Sequence, residues 1–456
     1  MINVTLSQLA TALNATLVGD DIIIESVTTD SRKIDANGLF LALKGARFDG
    51  HQFVGTAIDN GAVALVVDHQ LEVATPQLIV KDTHTALGNI GAWVCEQINP
   101  KRIALTGSNG KTTVKEMVAA ILAQQHQVLF TDGNFNNDIG VPLTLLRLTE
   151  SDQFGVFELG ANHQGEINYT SSLVLPDVAL VNNIGSAHLE GFGSEQGIAT
   201  AKSEIFNHLR DDGIAIINAD DKYSDFMIEQ AQGKNVIRFS RLGAEAEVTA
   251  TDVVMDEHGC FGFAMHYQQQ SVQVQLPLAG EHQVSNALAA CAICVAVGID
   301  LADIAQGLMG LLPVKGRMQP QQLGRFLLVD DSYNANPTSV KAAIDWLNKS
   351  TQYRCLVLGD LGELGDNAAP LHAEIGQYAK DKHINSLFCC GNLTTYTSAA
   401  FSGSHFDELP ALLQALKHEL NRVQGKITVL VKGSRSAAME RVIEELKSAF
   451  ERGELV

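Results

Sequence analysis

No disulfide framework is available to this chain, whose seven cysteines are odd in number and fall at no framework spacing. Cys291 and Cys294 form a C-x-x-C, but it lies inside the apolar run ALAACAICVAVGI, where core packing outweighs a redox or metal site. Cys389-Cys390, in the apolar stretch SLFCCG, reads the same way, so the expected compartment is a reducing cytoplasm. Basic residues are also scarce: 32 Lys+Arg against 52 Asp+Glu leave a net charge of −20 at pH 7. A surface of that sign repels polyanions, which excludes nucleic acid as an expected partner. A single loop can still bind a small phosphate ligand against the overall field. The longest apolar run, Ala287 to Ile299, falls short of the roughly 20 residues that span a bilayer. The N-terminus, MINVTLSQLATALNATL, lacks the basic start and apolar core of a signal peptide, so no membrane insertion is expected. Repeats and low-complexity tracts are missing too.

What is present is the composition of a globular α/β protein. The 456 residues are 46% hydrophobic and 18% charged, with ample core and a length that suggests about three domains. Residues 1–98 contain short apolar segments, DIIIESVTTDSR, GLFLALKG, GAVALVVD and PQLIVKD, punctuated by turn residues. From 99 to 313, the apolar strands RIALTG, QVLFTD, FGVFELGA, VALVNNIG and GIAIIN alternate with helical stretches, the pattern of a parallel sheet covered on both faces. From about Val236 the texture changes to alternation, VIRFS, AEVTATDVVM, CFGFAMHY and SVQVQLPL, which predicts an antiparallel meander. A helix over Gly280–Gly298 restores the main pattern. From 314 to 456, FLLVDDS, RCLVLGDLG, SLFCCG and ITVLVKGS are again apolar strands with polar ends. In a doubly wound fold, ligands gather beyond such ends, which places DDSYNANP and GDLGELG there.

The stretch LTGSNGKTTVKEM, Leu105 to Met117, ends like the phosphate-binding pattern G-x-x-x-x-G-K-[ST]. Its first glycine is displaced: residue 105 is Leu105, and the glycine is Gly107. The flanking strand and helix still supply the context in which backbone N–H groups cradle phosphates. Lys111 would reach the β/γ-phosphates, and Thr112 or Thr113 a magnesium ion. Such an ion wants carboxylate oxygens, and Glu158 ends the strand FGVFE; it reads either as a metal ligand or as a turn acid facing water. Lys202 falls on the apolar stripe of Ile198, Ile205, Phe206 and Leu209, where a lysine must snorkel, pair or be chemically changed. His188 is a loop residue that either orients this neighbourhood or is structural. Asn286, at the start of an apolar helix, reads first as a cap. Arg317 and Asp331 either complete a nucleotide site from another domain or serve as turn residues.

Taken together, these pieces resemble the Mur ligase family along essentially the whole chain. Residues Thr106 to Thr113 match its TGxxGKTT loop, joined by DSR at Asp30–Arg32, FDGH at Phe48–His51, ELGAN from Glu158, His188, Lys202 and GEHQVSNALAA. The resemblance implies an α/β protein of three domains. These are a small UDP-substrate domain (1–98), a central P-loop ATP-binding domain with a parallel sheet (99–313) and a Rossmann-like C-terminal domain (314–456). It implies an ATP-dependent amide-bond ligase working through an acyl phosphate. The segments DDSYNANPTS and NFNNDIGVPLTLL resemble the member that adds D-alanyl-D-alanine to UDP-N-acetylmuramoyl-tripeptide. ATP would lie on Gly107, Ser108, Asn109, Gly110, Lys111, Thr112 and Thr113, with Asn286, Arg317 and Asp331. Mg²⁺ would be held by Thr112 and Glu158. His188 would stand near a second metal site, and Lys202, often carbamylated in the family, would serve there. Lys111, His188 and Lys202 would be catalytic. The nucleotide-linked substrate would meet Ser31, Arg32 and the turn Ala46-Arg47-Phe48, as well as Asn134 and Asn137. A cytoplasmic monomer is expected.

Two other readings compete. A folylpolyglutamate synthetase-like ligase shares the architecture, but its loop usually ends GKGS and it lacks a uridine-binding domain. A P-loop switch that hydrolyses nucleotide without ligation would more naturally carry an NKxD-type motif, which is absent.

Overall fold

The computed structural model describes residues 1–45, 48–185, 189–312 and 314–455. Among these residues the strands form four sheets. A two-stranded antiparallel pair joins Val4–Thr5 to Ile23–Ile24. It leads into the helix Leu6–Leu13, which starts with a capping box between Thr5 and Gln8. A five-stranded sheet orders Thr16–Val18, Gln77–Ile79, Ala64–Val67, Gly38–Leu41 and Ser26–Thr28, with its last four strands parallel.

The largest sheet has nine strands. Its parallel part runs Val128–Phe130, Phe154–Glu158, Lys101–Thr106, Val178–Val181, Ile214–Asn218 and Asn235–Ser240. Each of the four central strands is an apolar run buried on both faces, for which the continuous Ile, Val, Leu and Ala pattern is the cause. Three further strands, Val248–Met255, Cys260–Tyr267 and Gln270–Ala279, extend this sheet. The predicted meander is corrected at its first member: Asn235–Ser240 pairs in parallel with both neighbours, and antiparallel pairing begins only at Val248–Met255 against Cys260–Tyr267.

The third large sheet orders Gln319–Leu323, Phe326–Asp331, Ile427–Lys432, Tyr353–Gly359, Ser386–Cys390 and Ser404–Phe406. All but the first strand pair in parallel. Helices Pro337–Asn348 and Glu440–Glu451 flank it, the former entered through a capping box of Asn336 and Ser339 with proline in its first turn. One apolar cluster runs from Ile103 and Val114 beside the nine-stranded sheet to Ile344, Trp346 and Leu358 beside the six-stranded one. A buried hydrogen bond crosses the same boundary, from Trp346 Nε1 to the Gly259 carbonyl at 2.9 Å.

Both open sheets have a switch point. The strand Lys101–Thr106 sends its chain toward Val128–Phe130, while its neighbour Val178–Val181 sends its chain the other way, to Ile214–Asn218. In the six-stranded sheet, Phe326–Asp331 and Ile427–Lys432 lie side by side with Asp331 opposite Lys432. Crevices beyond the carboxyl ends of such strands are where α/β folds bind ligands. All seven cysteines are free, and burial pushes the Cys291 thiol up to about 12, as expected of core residues rather than of a redox pair. Among the described residues no helix is long and apolar enough to cross a membrane.

Candidate active site

The two switch points face one another across a cavity of about 900 Å³. Its floor is the glycine turn between the strand Lys101–Thr106 and the helix Lys111–Leu122. Gly110 caps that helix with φ +80° and no side-chain cap, leaving the first-turn N–H groups pointed into the cavity. A side chain is excluded here twice over, by the left-handed backbone and by Asn286 Oδ1 and Asn182 Nδ2, which stand 2.4 and 2.6 Å from where a Cβ would lie. The turn is braced by asparagines: Asn109 N–H donates to Asn183 Oδ1 at 2.8 Å, and Asn182 Nδ2 donates to Asn286 Oδ1 at 3.0 Å. Ser108 and Gly185 exchange hydrogen bonds at 2.9 and 3.0 Å. Lys111 folds back and donates to the Gly107 carbonyl at 2.7 Å.

Asn286 therefore does not cap its helix, which spans His282–Ala296 with Glu281 at the cap position. It is buried, donates to Gln283 Oε1 at 2.8 Å and accepts from Asn182. Glu158 is buried at the end of its strand, not facing water. Asn136 Nδ2 donates to its Oε1 at 2.9 Å, and Oε2 is a buried acceptor with no hydrogen-bond partner among the described residues.

The opposite wall comes from the six-stranded sheet. Arg317 Nη2 donates to Thr112 Oγ1 at 2.9 Å, its guanidinium lies 4.2 Å from the Tyr333 ring centroid, and its buried Nε–H has no acceptor among the described residues. Asn336 Nδ2 reaches Asn109 Oδ1 at 2.8 Å. Asp331 is engaged on both oxygens, by Lys432 Nζ at 2.6 Å and by the Met318 amide at 3.2 Å. An unpartnered carboxylate oxygen and an unpartnered guanidinium N–H in one cavity call for a cation and an anion respectively, which is what a metal-bound phosphate presents.

Burial holds the Lys111 amine below the usual lysine range, with Arg317 pushing the same way and Glu158 opposing. Lys202, 1% exposed, does not snorkel. Burial first, and Lys111 second, drive its amine well below the usual range. Its Nζ lies 5.9 Å from the Phe192 ring centroid, and it is not part of the cavity wall.

The remaining predicted residues divide. Asn134 and Asn137 line the cavity, and Asn137 Oδ1 also accepts from the Gly140 amide at 2.8 Å. Ser31, Arg32 and Phe48 do not line it. Arg32 is bound to Asp30 at 2.8 Å and Phe48 is 56% exposed. His188, Ala46 and Arg47 lie outside the described residues. Sequence reasoning missed Asn136, Asn182, Asn183, Asn336 and Lys432; for Asn182-Asn183 and Lys432 the available signal was a polar residue closing an apolar strand.

Such a fold and cavity define a P-loop α/β protein arranged to hold a phosphorylated ligand between two sheets. Family models match three successive stretches: "Mur ligase family, catalytic domain" over residues 23–103, "Mur ligase middle domain" over 105–294 and "Mur ligase, glutamate ligase domain" over 316–435. The chain belongs to the Mur ligase family. It is 49% identical to the UDP-N-acetylmuramoyl-tripeptide–D-alanyl-D-alanine ligase of Escherichia coli K12, over 98% of this chain and 99% of that protein. A crystal structure of MurF from Acinetobacter baumannii superposes with a TM-score of 0.94 at 38% identity, covering 98% of this chain and 99% of that one. The MurF ligase from Thermotoga maritima, solved in complex with ADP, gives 0.84 at 27% identity, covering 94% and 98%.

Proposed function

We propose that this protein is an ATP-dependent ligase that joins D-alanyl-D-alanine to UDP-N-acetylmuramoyl-tripeptide, releasing ADP and phosphate, as a cytoplasmic step of peptidoglycan precursor synthesis. The observation that carries the reading is the pair of unpartnered groups of opposite charge, Glu158 Oε2 and Arg317 Nε, in one cavity fed by a P-loop. The full-length likeness to D-alanyl-D-alanine-adding relatives supports the substrate assignment and disfavours both the folylpolyglutamate synthetase-like and the nucleotide-switch alternatives.

In this reading the terminal carboxylate of the tripeptide takes the γ-phosphoryl group of ATP, becoming an acyl phosphate. The amine of D-Ala-D-Ala then attacks the acyl carbon; the C–N bond forms, the C–O bond breaks and phosphate leaves. Both steps gather negative charge, so preorganised donors are the main catalytic device. The N–H groups of Gly110, Lys111, Thr112 and Thr113 cradle phosphates, and Lys111 exchanges the Gly107 carbonyl for a phosphate oxygen. Asn286 holds the glycine turn in shape, while Arg317 and Asp331 bring the third sheet to the nucleotide. Glu158 and Thr112 would hold Mg²⁺, which would neutralise phosphate charge when bound. A neutral Lys202 amine is competent to add CO₂, forming an N–C bond and releasing a proton, and so to become a carboxylate-like head. His188 matches the family histidine assigned to the second metal site. Ser31, Arg32 and the turn 46–48 take the uridine diphosphate, and Asn134 and Asn137 the peptide end.

Phosphate release tests this. It should require both UDP-linked tripeptide and D-Ala-D-Ala, and equal release without the dipeptide would refute ligation.

A further inference from the structure

A second cluster of chemically capable side chains lies in the N-terminal unit, and none of its members lines the cavity described above. His51 sits in the short 3-10 turn Gly50–Phe53, and Asp68 and His69 directly follow the strand Ala64–Val67. That strand runs parallel to Gly38–Leu41, and the cluster stands beyond their carboxyl ends. The His51 side chain is 7% exposed, that of His69 61%.

His51 Nδ1 meets Asp49 Oδ1 at 2.6 Å, so its proton is committed to that carboxylate. Its Nε2 then carries a lone pair, in keeping with the Asp68 amide that donates to it at 3.1 Å. The same Nε2 also faces Asp68 Oδ1 at 3.1 Å, one acceptor opposite another. His69 Nδ1 contacts that same oxygen from the other side, and the two imidazoles stack with centroids 4.9 Å apart. A positive charge shared among these atoms relieves the opposition between acceptors.

We propose that His51, Asp68 and His69 bind a zinc-type divalent cation that clips the turn Gly50–Phe53 to the end of the neighbouring strand. Two imidazoles and one carboxylate are a borderline donor set suited to zinc, with the fourth position open to water on the exposed His69 side. The three ligand atoms lie within 4.8 Å of one another. Two ligand atoms on a tetrahedral zinc stand roughly 3.3–3.4 Å apart, since each is about 2.0–2.1 Å from the ion. The 3.1 Å separation of Nε2 and Oδ1 is close to that edge; binding needs the exposed His69 to turn toward it and the Asp68 amide to give up the Nε2 lone pair. Asp49 behind His51 supplies the outer carboxylate that fixes a ligating imidazole in the correct tautomer.

The test is equilibrium dialysis of the full-length protein against micromolar zinc, with bound metal counted by emission spectrometry. The wild type should retain one zinc more than His69→Ala and one more than Asp68→Asn, while both variants keep their magnesium-dependent ligase activity. Cobalt(II) in place of zinc should give the intense visible bands of a four-coordinate ion in the wild type and lose them in His69→Ala. Equal zinc in all three proteins, with no such bands, would overturn the proposal. His69 is exposed, so its loss does not threaten the fold.

Discussion

Replacing Gly110 with alanine places a methyl group about 1 Å inside ordinary contact, 2.4 Å from Asn286 Oδ1 and 2.6 Å from Asn182 Nδ2. Two costs add. Holding a non-glycine residue at φ +80° costs roughly 1–2 kcal/mol. Pushing the two asparagines apart breaks their 3.0 Å hydrogen bond, a loss of about 1 kcal/mol. The expected total of about 2–3 kcal/mol is divided between folding stability and nucleotide affinity. If all of it fell on binding, ADP would bind about 30- to 150-fold more weakly. Urea unfolding and calorimetric titration with ADP, on wild type and Gly110→Ala, measure the two shares. A second substitution, Asn286→Ala, removes the worse clash, so the double variant should be less impaired than the sum of the singles. A combined loss below about 1 kcal/mol for Gly110→Ala would refute both costs, and strict additivity with Asn286→Ala would refute the clash.

Two further outcomes follow from buried groups elsewhere. Because the folded-state amine of Lys202 is depressed below its unfolded value, the unfolded chain binds the extra proton between those two values. Stability should then rise with pH through that window, by at most about 1.4 kcal/mol per pH unit, and fall on acidification. Urea unfolding in CO₂-free buffer at pH 7.5 and 9 should show this slope in the wild type and not in Lys202→Met, which should also lose ligase activity; matching slopes would remove the buried neutral amine. Trp346→Phe removes the indole N–H and leaves the buried Gly259 carbonyl with the Gly280 amide alone, at 3.2 Å; the lost hydrogen bond costs about 1 kcal/mol in urea unfolding, added to the loss of packing from the smaller ring. An unchanged unfolding midpoint would mean that this bond between the sheets carries no stability.

Much of the site could be read in advance because it is local. The displaced Gly107, the Gly-Lys-Thr-Thr ending and Glu158 at the end of an apolar strand are each visible within a dozen residues, and the structure brings Gly110 to Thr113 and Glu158 into one cavity, while Gly107 itself does not line it. Lys202 stood out because a cation on an apolar helical stripe breaks the pattern that surrounds it. What escaped depends on contacts distant in sequence. Asn286 looked like a cap because its true partner, Asn182, is 104 residues away. Lys432 looked like an ordinary strand end until Asp331, its register partner, stood beside it. The segment VIRFS alternates like an antiparallel strand, yet it closes the parallel part of the sheet, with Ile237 and Phe239 packed on one core cluster and Val236 on the other.

The hydrogen bonds from Arg317 to Thr112 and from Asn336 to Asn109 span 205 and 227 residues. For a chain made from its N-terminus, this sets an order of events. The P-loop can fold onto its own strand and helix early, but its outer wall does not exist until synthesis has passed residue 336. A nascent or truncated chain therefore presents a phosphate-binding turn without the groups that would let it act on what it binds. The wall that carries Asp331, Lys432 and Ser434 is thus the last part of the site to be made.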